Sequence, residues 1–260
     1  MHTDGPTPPS DAPAPGPASA PGPTAAPNRA QTGAELTGAK LAADALALLH
    51  RQGARTGRVL LGLTGPPATG KSTLAHHLVT RINETEGPGT AAYLPLDGFH
   101  LSNAQLDRLG LRHRKGAPQT FDALGYVTLL RRAATDRFHD LYVPDFDRTL
   151  DEPVAARHVI HPHTRLVITE GNYLANSEAP WSEARALLHS IWYLHTEDTV
   201  RAERLLHRHL ASAGDRAAAQ DRVDSNDHPN GEYVKSARSA CDRVVHFADL
   251  PELPDRGSVL

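Results

Sequence analysis

With 27 basic against 30 acidic side chains in 260 residues, and a net charge of −3, the chain has no cationic surplus with which to grip a polyanion. Nucleic acid is therefore not an expected partner. The single cysteine, Cys241, excludes a disulfide framework and any cysteine-cluster metal site. No stretch reads as a secretory signal or stays apolar long enough to span a bilayer, so no membrane partner is expected and a cytoplasmic protein is the simple inference.

Residues 1–32 are almost entirely Pro, Ala, Gly, Ser and Thr. Such a segment cannot bury enough apolar surface to offset its ordering entropy, and it reads as a disordered leader ahead of one domain over residues 33–260. Residues 35–50 have a helical pattern with Leu36, Leu46 and Leu49 on one side. The apolar run 59–63 is a buried strand. It leads directly into Gly65-Pro66-Pro67-Ala68-Thr69-Gly70-Lys71-Ser72-Thr73, and a helix over the following residues to about 83 comes next. Strand, glycine loop and helix in that order make a phosphate cradle: backbone N–H groups face the anion, Lys71 reaches the outer phosphates, and the Ser72 hydroxyl can ligand Mg²⁺. A nucleoside triphosphate is the expected ligand. Only four of the basic residues are lysines, Lys40, Lys71, Lys115 and Lys235, which suggests that position 71 wants a compact ammonium.

Gly87-Pro88-Gly89 ends that helix, residues 90–96 form a second strand, and Asp97-Gly98 stands at its carboxyl end. Helical patterns cover 103–109 and 122–137, strands 166–169 and 191–194, a helix capped by Thr196 and running through His209, and a late strand 244–247. Alternating strands and helices predict a mostly parallel sheet covered on both faces, with ligands beyond the carboxyl ends of its strands.

Three features fall at those ends. Asp97 there can accept a proton from an attacking hydroxyl or hold Mg²⁺ through water. Glu170, closing an apolar strand, is placed to support the metal or the acceptor; no Asp-Glu pair follows it, which weighs against a motor ATPase. Arg201, Arg204 and Arg208 share one helix face, and the 211–214 stretch Ala-Ser-Ala-Gly reads as a hinge. A mobile helix of this kind would bring Arg204 and Arg208 over a transferring phosphoryl group. The run Arg112-His113-Arg114-Lys115 is either an anion clamp for an acceptor or a solvated loop, with Lys115 by itself reading as a surface lysine. Tyr142 and Phe146 are candidates for an apolar acceptor wall or for core. His158, His161 and His163 do not read as a zinc site, because Pro162 interrupts them and no fourth ligand is evident.

These residues resemble the phosphoribulokinase, uridine kinase and type I pantothenate kinase group over roughly residues 58–245. Gly65–Thr73 looks like the group's ATP loop, and Asp97-Gly98-Phe99-His100 with Asn103 is similar to a segment whose Asp serves as base. Arg114-Lys115-Gly116-x-Pro118-x-Thr120-Phe121-Asp122, Pro144-x-Phe146-Asp147 and Glu170-Gly171-Asn172-Tyr173 look like further motifs of the group. Asn226-Asp227-x-Pro229-Asn230 resembles a signature of a bacterial nucleoside/nucleotide kinase-like subgroup. The resemblance implies a P-loop NTPase fold, three-layer α/β/α with a helical lid, and a kinase using ATP and Mg²⁺ on a small-molecule hydroxyl. It implies acceptor contacts from Asp97, His100, Arg114, Lys115, Phe146, Asp147 and Tyr173, and an adenine contact from the 226–230 loop, Asn226 and Pro229 included. Phe121 and Phe146 stand where relatives often carry Tyr, and residues 147–163 match neither well-defined branch, so nucleoside, pantothenate-like acid and sugar acceptors all remain open. A nucleotide switch would use the same cradle, but no Asn-Lys-x-Asp or Leu-Ser-Gly-Gly-Gln segment supports one. A homodimer is compatible with this reading.

Overall fold

Five strands form the central sheet: β1 (Val59–Thr64), β2 (Ala91–Pro95), β5 (Leu166–Glu170), β6 (Ser190–His195) and β7 (Arg243–His246). Their order is β2-β5-β1-β6-β7, and every pairing is parallel. The computed structural model describes residues 1–2 and 33–246; the leader expected over 1–32, its first two residues apart, and the last residue of the late strand lie outside the described residues.

Pleating divides the core in two. Val59, Leu61 and Leu63 face α1 (Gly33–Thr56) and α2 (Lys71–Glu86), packing with Leu41, Leu49, Leu74, Leu78 and Ile82. Leu60 faces α4 (Ala123–Thr135) and α5 (Trp181–Leu187), with Tyr126, Val127, Leu130 and Trp181. The β1 and β5 strands are buried along their whole length, which is why they read as continuous apolar runs. This is the expected three-layer α/β/α architecture. Among the described residues no helix is long and apolar enough to cross a membrane.

Arg58 locks the end of the central strand that lies away from the cradle. Its buried guanidinium donates to the carbonyls of Thr164, Ala133, Asp136 and His161, joining the start of β1 to the end of α4 and to the turn before β5. Burial lowers its pKa to about 10. Arg58→Met would strand these carbonyls, and a loss of about 3 kcal/mol is expected, read as a lower denaturant midpoint at unchanged slope.

Several expectations need correction. The second strand stops at Pro95, and Leu96–Phe99 is a 3₁₀ turn that carries Asp97. Thr196 is not the cap of α6 (Asp198–Ala213); Glu197 holds that position, and the Thr196 hydroxyl donates to the Thr69 carbonyl. The supposed hinge at 211–214 is helix through Ala213, closed by Gly214 in the left-handed region at φ 67°. Residues 226–230 are not a loop but the junction of a π-helical turn (Val223–Asp227) and α8 (His228–Ser236), which follow α7 (Arg216–Arg222).

The antiparallel pair β3 (Leu141–Asp147) and β4 (Glu152–Ile160) was not expected at all. Pro144 breaks the β3 pattern, and β4 leaves residues on both faces in partial contact with solvent, so neither has a clean period. The ladder shifts register between Val143 and Asp145, which accommodates Pro144. The pair lies against the Asp97 turn so closely that any Cβ at Gly98 would collide with the Pro144 carbonyl.

Candidate active site

The cradle is built from backbone conformations that its sequence permits. Gly65 has φ 150°, and a Cβ there would sit 2.6 Å from the Leu194 carbonyl oxygen, so only glycine lets β6 approach this closely. Gly70 turns the chain at φ 89° into α2. No side chain caps that helix start and no acid occupies its first turn, so the orphan N–H groups and the positive end of the helix dipole remain for an anion. Lys71 Nζ donates across the loop to the carbonyls of Gly65 at 2.9 Å and Pro66 at 3.0 Å, and Thr69 Oγ1 donates to Pro66 O at 3.0 Å. A row of polyphosphate oxygens fits a surface of this construction.

Two acids adjoin the cradle. Glu170 is 2% exposed, paired in register with Leu63 of β1 and Pro95 of β2, and its Oε1 accepts hydrogen bonds from Ser72 Oγ at 3.0 Å and Tyr93 Oη at 2.9 Å. Burial, then the charge of Asp97, raises its pKa to about 7. Lys71 is lowered to about 8, first by burial, against the attraction of Glu170 and Asp97. Asp97 is half-buried, and among the described residues no side chain hydrogen-bonds its carboxylate. One acid is thus fixed and the other available.

The Glu170 shift has a consequence for stability. Unfolded, the carboxyl ionises near 4.5; folded, near 7, so between these values the native state holds the extra proton and stability falls as pH rises. The fall should amount to at most ~3 kcal/mol, complete above the folded pKa. Glu170→Gln is expected to flatten that part of a stability–pH curve measured on the nucleotide-free protein.

Of the residues expected to meet an acceptor, the structure brings together Asp97, His100, Phe146 and Lys115. His100 Nδ1 donates to the Asp97 carbonyl at 2.8 Å, and its ring lies 4.1 Å from Phe121 and 4.9 Å from Phe146. Burial lowers the His100 pKa and favours the neutral ring. Lys115 is not a surface residue. It is 5% exposed, donates to Asn103 Oδ1 at 2.6 Å, pairs with Asp151 at 3.0 Å and lies 4.8 Å over the Phe146 ring. Arg114, Asp147 and Tyr173 are committed elsewhere: to Ser225 O, to the β3–β4 turn and Arg157, and to Gly116 O. Tyr142 is exposed rather than core. Asn226 is buried in the π-helical turn and donates to Lys115 O at 2.9 Å; Pro229 is exposed. Of the three histidines, His158 bonds Asp145, His161 bonds Asp140 and His163 stacks on His161.

The arginine helix divides its labour. Arg204 reaches Ala68 O at 3.3 Å, and the charge of exposed Arg208 is felt at Lys71. Arg201, 4% exposed, donates through Nε to Pro67 O at 2.9 Å and through Nη1 to Asp198 at 2.6 Å. With Thr196 on Thr69 O, three consecutive loop carbonyls, at 67, 68 and 69, are held from β6–α6.

No family model matches the chain. A protein of Schizosaccharomyces pombe named "Putative uridine kinase" is 40% identical over 206 residues, covering 76% of this chain and 85% of its own. The solved structure of a "putative fructose transport system kinase" from a Silicibacter species is 33% identical, with a TM-score of 0.71 over 79% of this chain and 98% of its own. The chain belongs to the uridine kinase-like P-loop kinases. The structure of YFH7 from Saccharomyces cerevisiae, described as "a putative P-loop containing kinase with a circular permutation", shares the fold at 22% identity and a TM-score of 0.71.

In this P-loop kinase the residues that sequence reasoning missed are those that hold others. Tyr93 sits inside an apolar strand and reads as core until its hydroxyl is seen on Glu170. Arg201 was grouped with Arg204 and Arg208 by helical spacing, and nothing local marks it as the buried member. Gly231 was a weak signal for it, since a Cβ there would lie 2.7 Å from the Arg201 guanidinium.

Proposed function

We propose that this kinase transfers the γ-phosphate of ATP to a hydroxyl of a small metabolite, a nucleoside or a pantothenate-like acid, with Mg²⁺ as its metal. The observation that carries the reading is the contrast between Asp97 and Glu170 at the ends of adjacent strands: Glu170 is held by two donors, and among the described residues no side chain hydrogen-bonds the Asp97 carboxylate. A general base must be free to take a proton, whereas a group that orders a metal must be fixed.

Gly65 to Thr73 would hold the phosphates through backbone N–H groups, with Lys71 exchanging its loop carbonyls for phosphate oxygens. Ser72 and Glu170 would hold the metal, which when bound neutralises charge on the phosphates. Asp97 takes the proton of the acceptor hydroxyl as that oxygen bonds to phosphorus and the bond to the departing diphosphate breaks. Arg204 and Arg208 add positive charge on the open side. His100 and Phe146 would offer aromatic rings to the acceptor, with Lys115, held by Asn103 and Asp151 over the Phe146 ring, as a cation behind them, which suits a flat heterocycle on a hydroxylated ring. The name of the Schizosaccharomyces pombe relative supports the nucleoside branch.

The test is ADP release from Mg·ATP against nucleosides, pantothenate-like acids and free sugars, with the product followed by mass. An acceptor gaining one phosphate establishes the activity and names the substrate. A sugar product would select the sugar kinase alternative, and ADP release independent of any acceptor would replace the proposal with an ATPase or switch.

A further inference from the structure

The Tyr93 hydroxyl donates to Glu170 Oε1 at 2.9 Å, on the same oxygen that Ser72 Oγ reaches at 3.0 Å. Among the described residues no hydrogen bond ends on Oε2. Two donors on one oxygen set both the rotamer of the carboxylate and the direction in which its second oxygen faces. Ser72 alone would not do this, because it stands on α2 and is itself a candidate metal ligand, so its hydroxyl has a competing use.

The Tyr93 ring is in turn held from both sides. His76, one turn along α2 from Ser72, lies 4.3 Å from it, and His158 of β4 lies 5.1 Å from it edge-on. His158 is itself tied to Asp145 of β3 at 2.9 Å. Tyr93 is 6% exposed, and the two imidazoles flank its ring. A phenol on a buried strand, wedged between the cradle helix and the β3–β4 pair, therefore sets the aim of an acid on the neighbouring strand.

The geometry points to Tyr93 as the positioning residue of the metal side: its hydroxyl orients Glu170 toward the cation, and His76 and His158 hold the ring that carries the hydroxyl. This rests on the assignment of Glu170 to the metal proposed above. Tyr93 touches neither nucleotide nor acceptor in this scheme and acts only through Glu170.

Tyr93→Phe keeps the ring and its histidine contacts and removes one oxygen, so it isolates the claim. The readout is the dissociation constant of ADP by calorimetry, in EDTA and across a Mg²⁺ series, with melting temperature as control. The Mg²⁺ concentration that half-maximally tightens ADP binding is expected to rise about ten-fold in Y93F, with metal-free ADP affinity within about two-fold of wild type. His158→Ala, which loosens the ring from outside, should move the same midpoint in the same direction by about three-fold, and it decides the matter if Y93F does not fold. An unchanged Mg²⁺ midpoint, or an equal loss of ADP affinity with and without metal, overturns the inference while leaving the kinase assignment intact. Wild-type protein that binds no ADP overturns that assignment and this inference with it.

Discussion

Asp97→Asn is expected to lower phosphoryl transfer by about 10²–10⁴ while nucleotide affinity stays within a few-fold of wild type. Asparagine matches the carboxylate in shape and cannot accept the proton. The 3₁₀ turn over Leu96–Phe99 is built from backbone contacts, including His100 N to Asp97 O at 3.2 Å, and none of them uses the carboxylate. The hydrogen bonds of the turn therefore do not depend on the charge. Glu170 and Lys71 do feel it: removing Asp97's charge takes away a repulsion that raises the Glu170 pKa and an attraction that supports the Lys71 cation. The variant should consequently ionise Glu170 at lower pH, a shift visible in the pH dependence of stability. Single-turnover transfer and calorimetric nucleotide binding separate the two effects, and full transfer activity in this variant would remove Asp97 from the role of base.

Lys71→Ala is expected to damage both steps, lowering nucleotide affinity by about 100-fold and transfer by at least ~10³. Lys71 is 7% exposed, and its ammonium closes the loop by donating to Gly65 O and Pro66 O, so it shapes the cradle before any nucleotide arrives. Its burial makes the bare cation costly, which is why its pKa falls to about 8. Phosphate oxygens would relieve that cost, so binding energy is concentrated on this group. Calorimetry of ADP binding with thermal melting as control checks the prediction. Intact nucleotide affinity in a folded variant would show that the backbone N–H groups hold the phosphates without it.

What distinguishes the two variants is where each residue's bonds go. Asp97 is connected to its surroundings through the main chain, and Lys71 through its side chain. The same distinction separates Arg204 from Arg201 on one helix face: Arg204 makes a single long contact to the loop, while Arg201 is buried between the loop and Asp198. Spacing puts the three arginines on one face and favours Arg204 and Arg208 for the phosphoryl group, but only tertiary burial shows that Arg201 is the one held inside.

The features that sequence determined by itself are those whose physics is local. A glycine loop between an apolar strand and a helix can be read from spacing, because its N–H groups, its lysine and its hydroxyl all lie within nine residues, Gly65 to Thr73. Acids at the ends of buried strands can be read for the same reason, since an uninterrupted apolar run must end where solvent or ligand begins. The parallel sheet and its two helical layers follow from that alternation. What only the tertiary structure decided depends on contacts between residues far apart in the chain. Lys115 looked like a surface lysine because its partners Asn103 and Asp151 lie 12 and 36 residues away. The β3–β4 pair has no clean period, since Pro144 and mixed burial erase it, and its place against Gly98 comes from packing. Tyr93 is the plainest case: a strand tyrosine carries no local mark of the carboxylate 77 positions later that its hydroxyl holds. Hydrophobic pattern places side chains inside or outside, and only the folded chain says which buried polar group meets which.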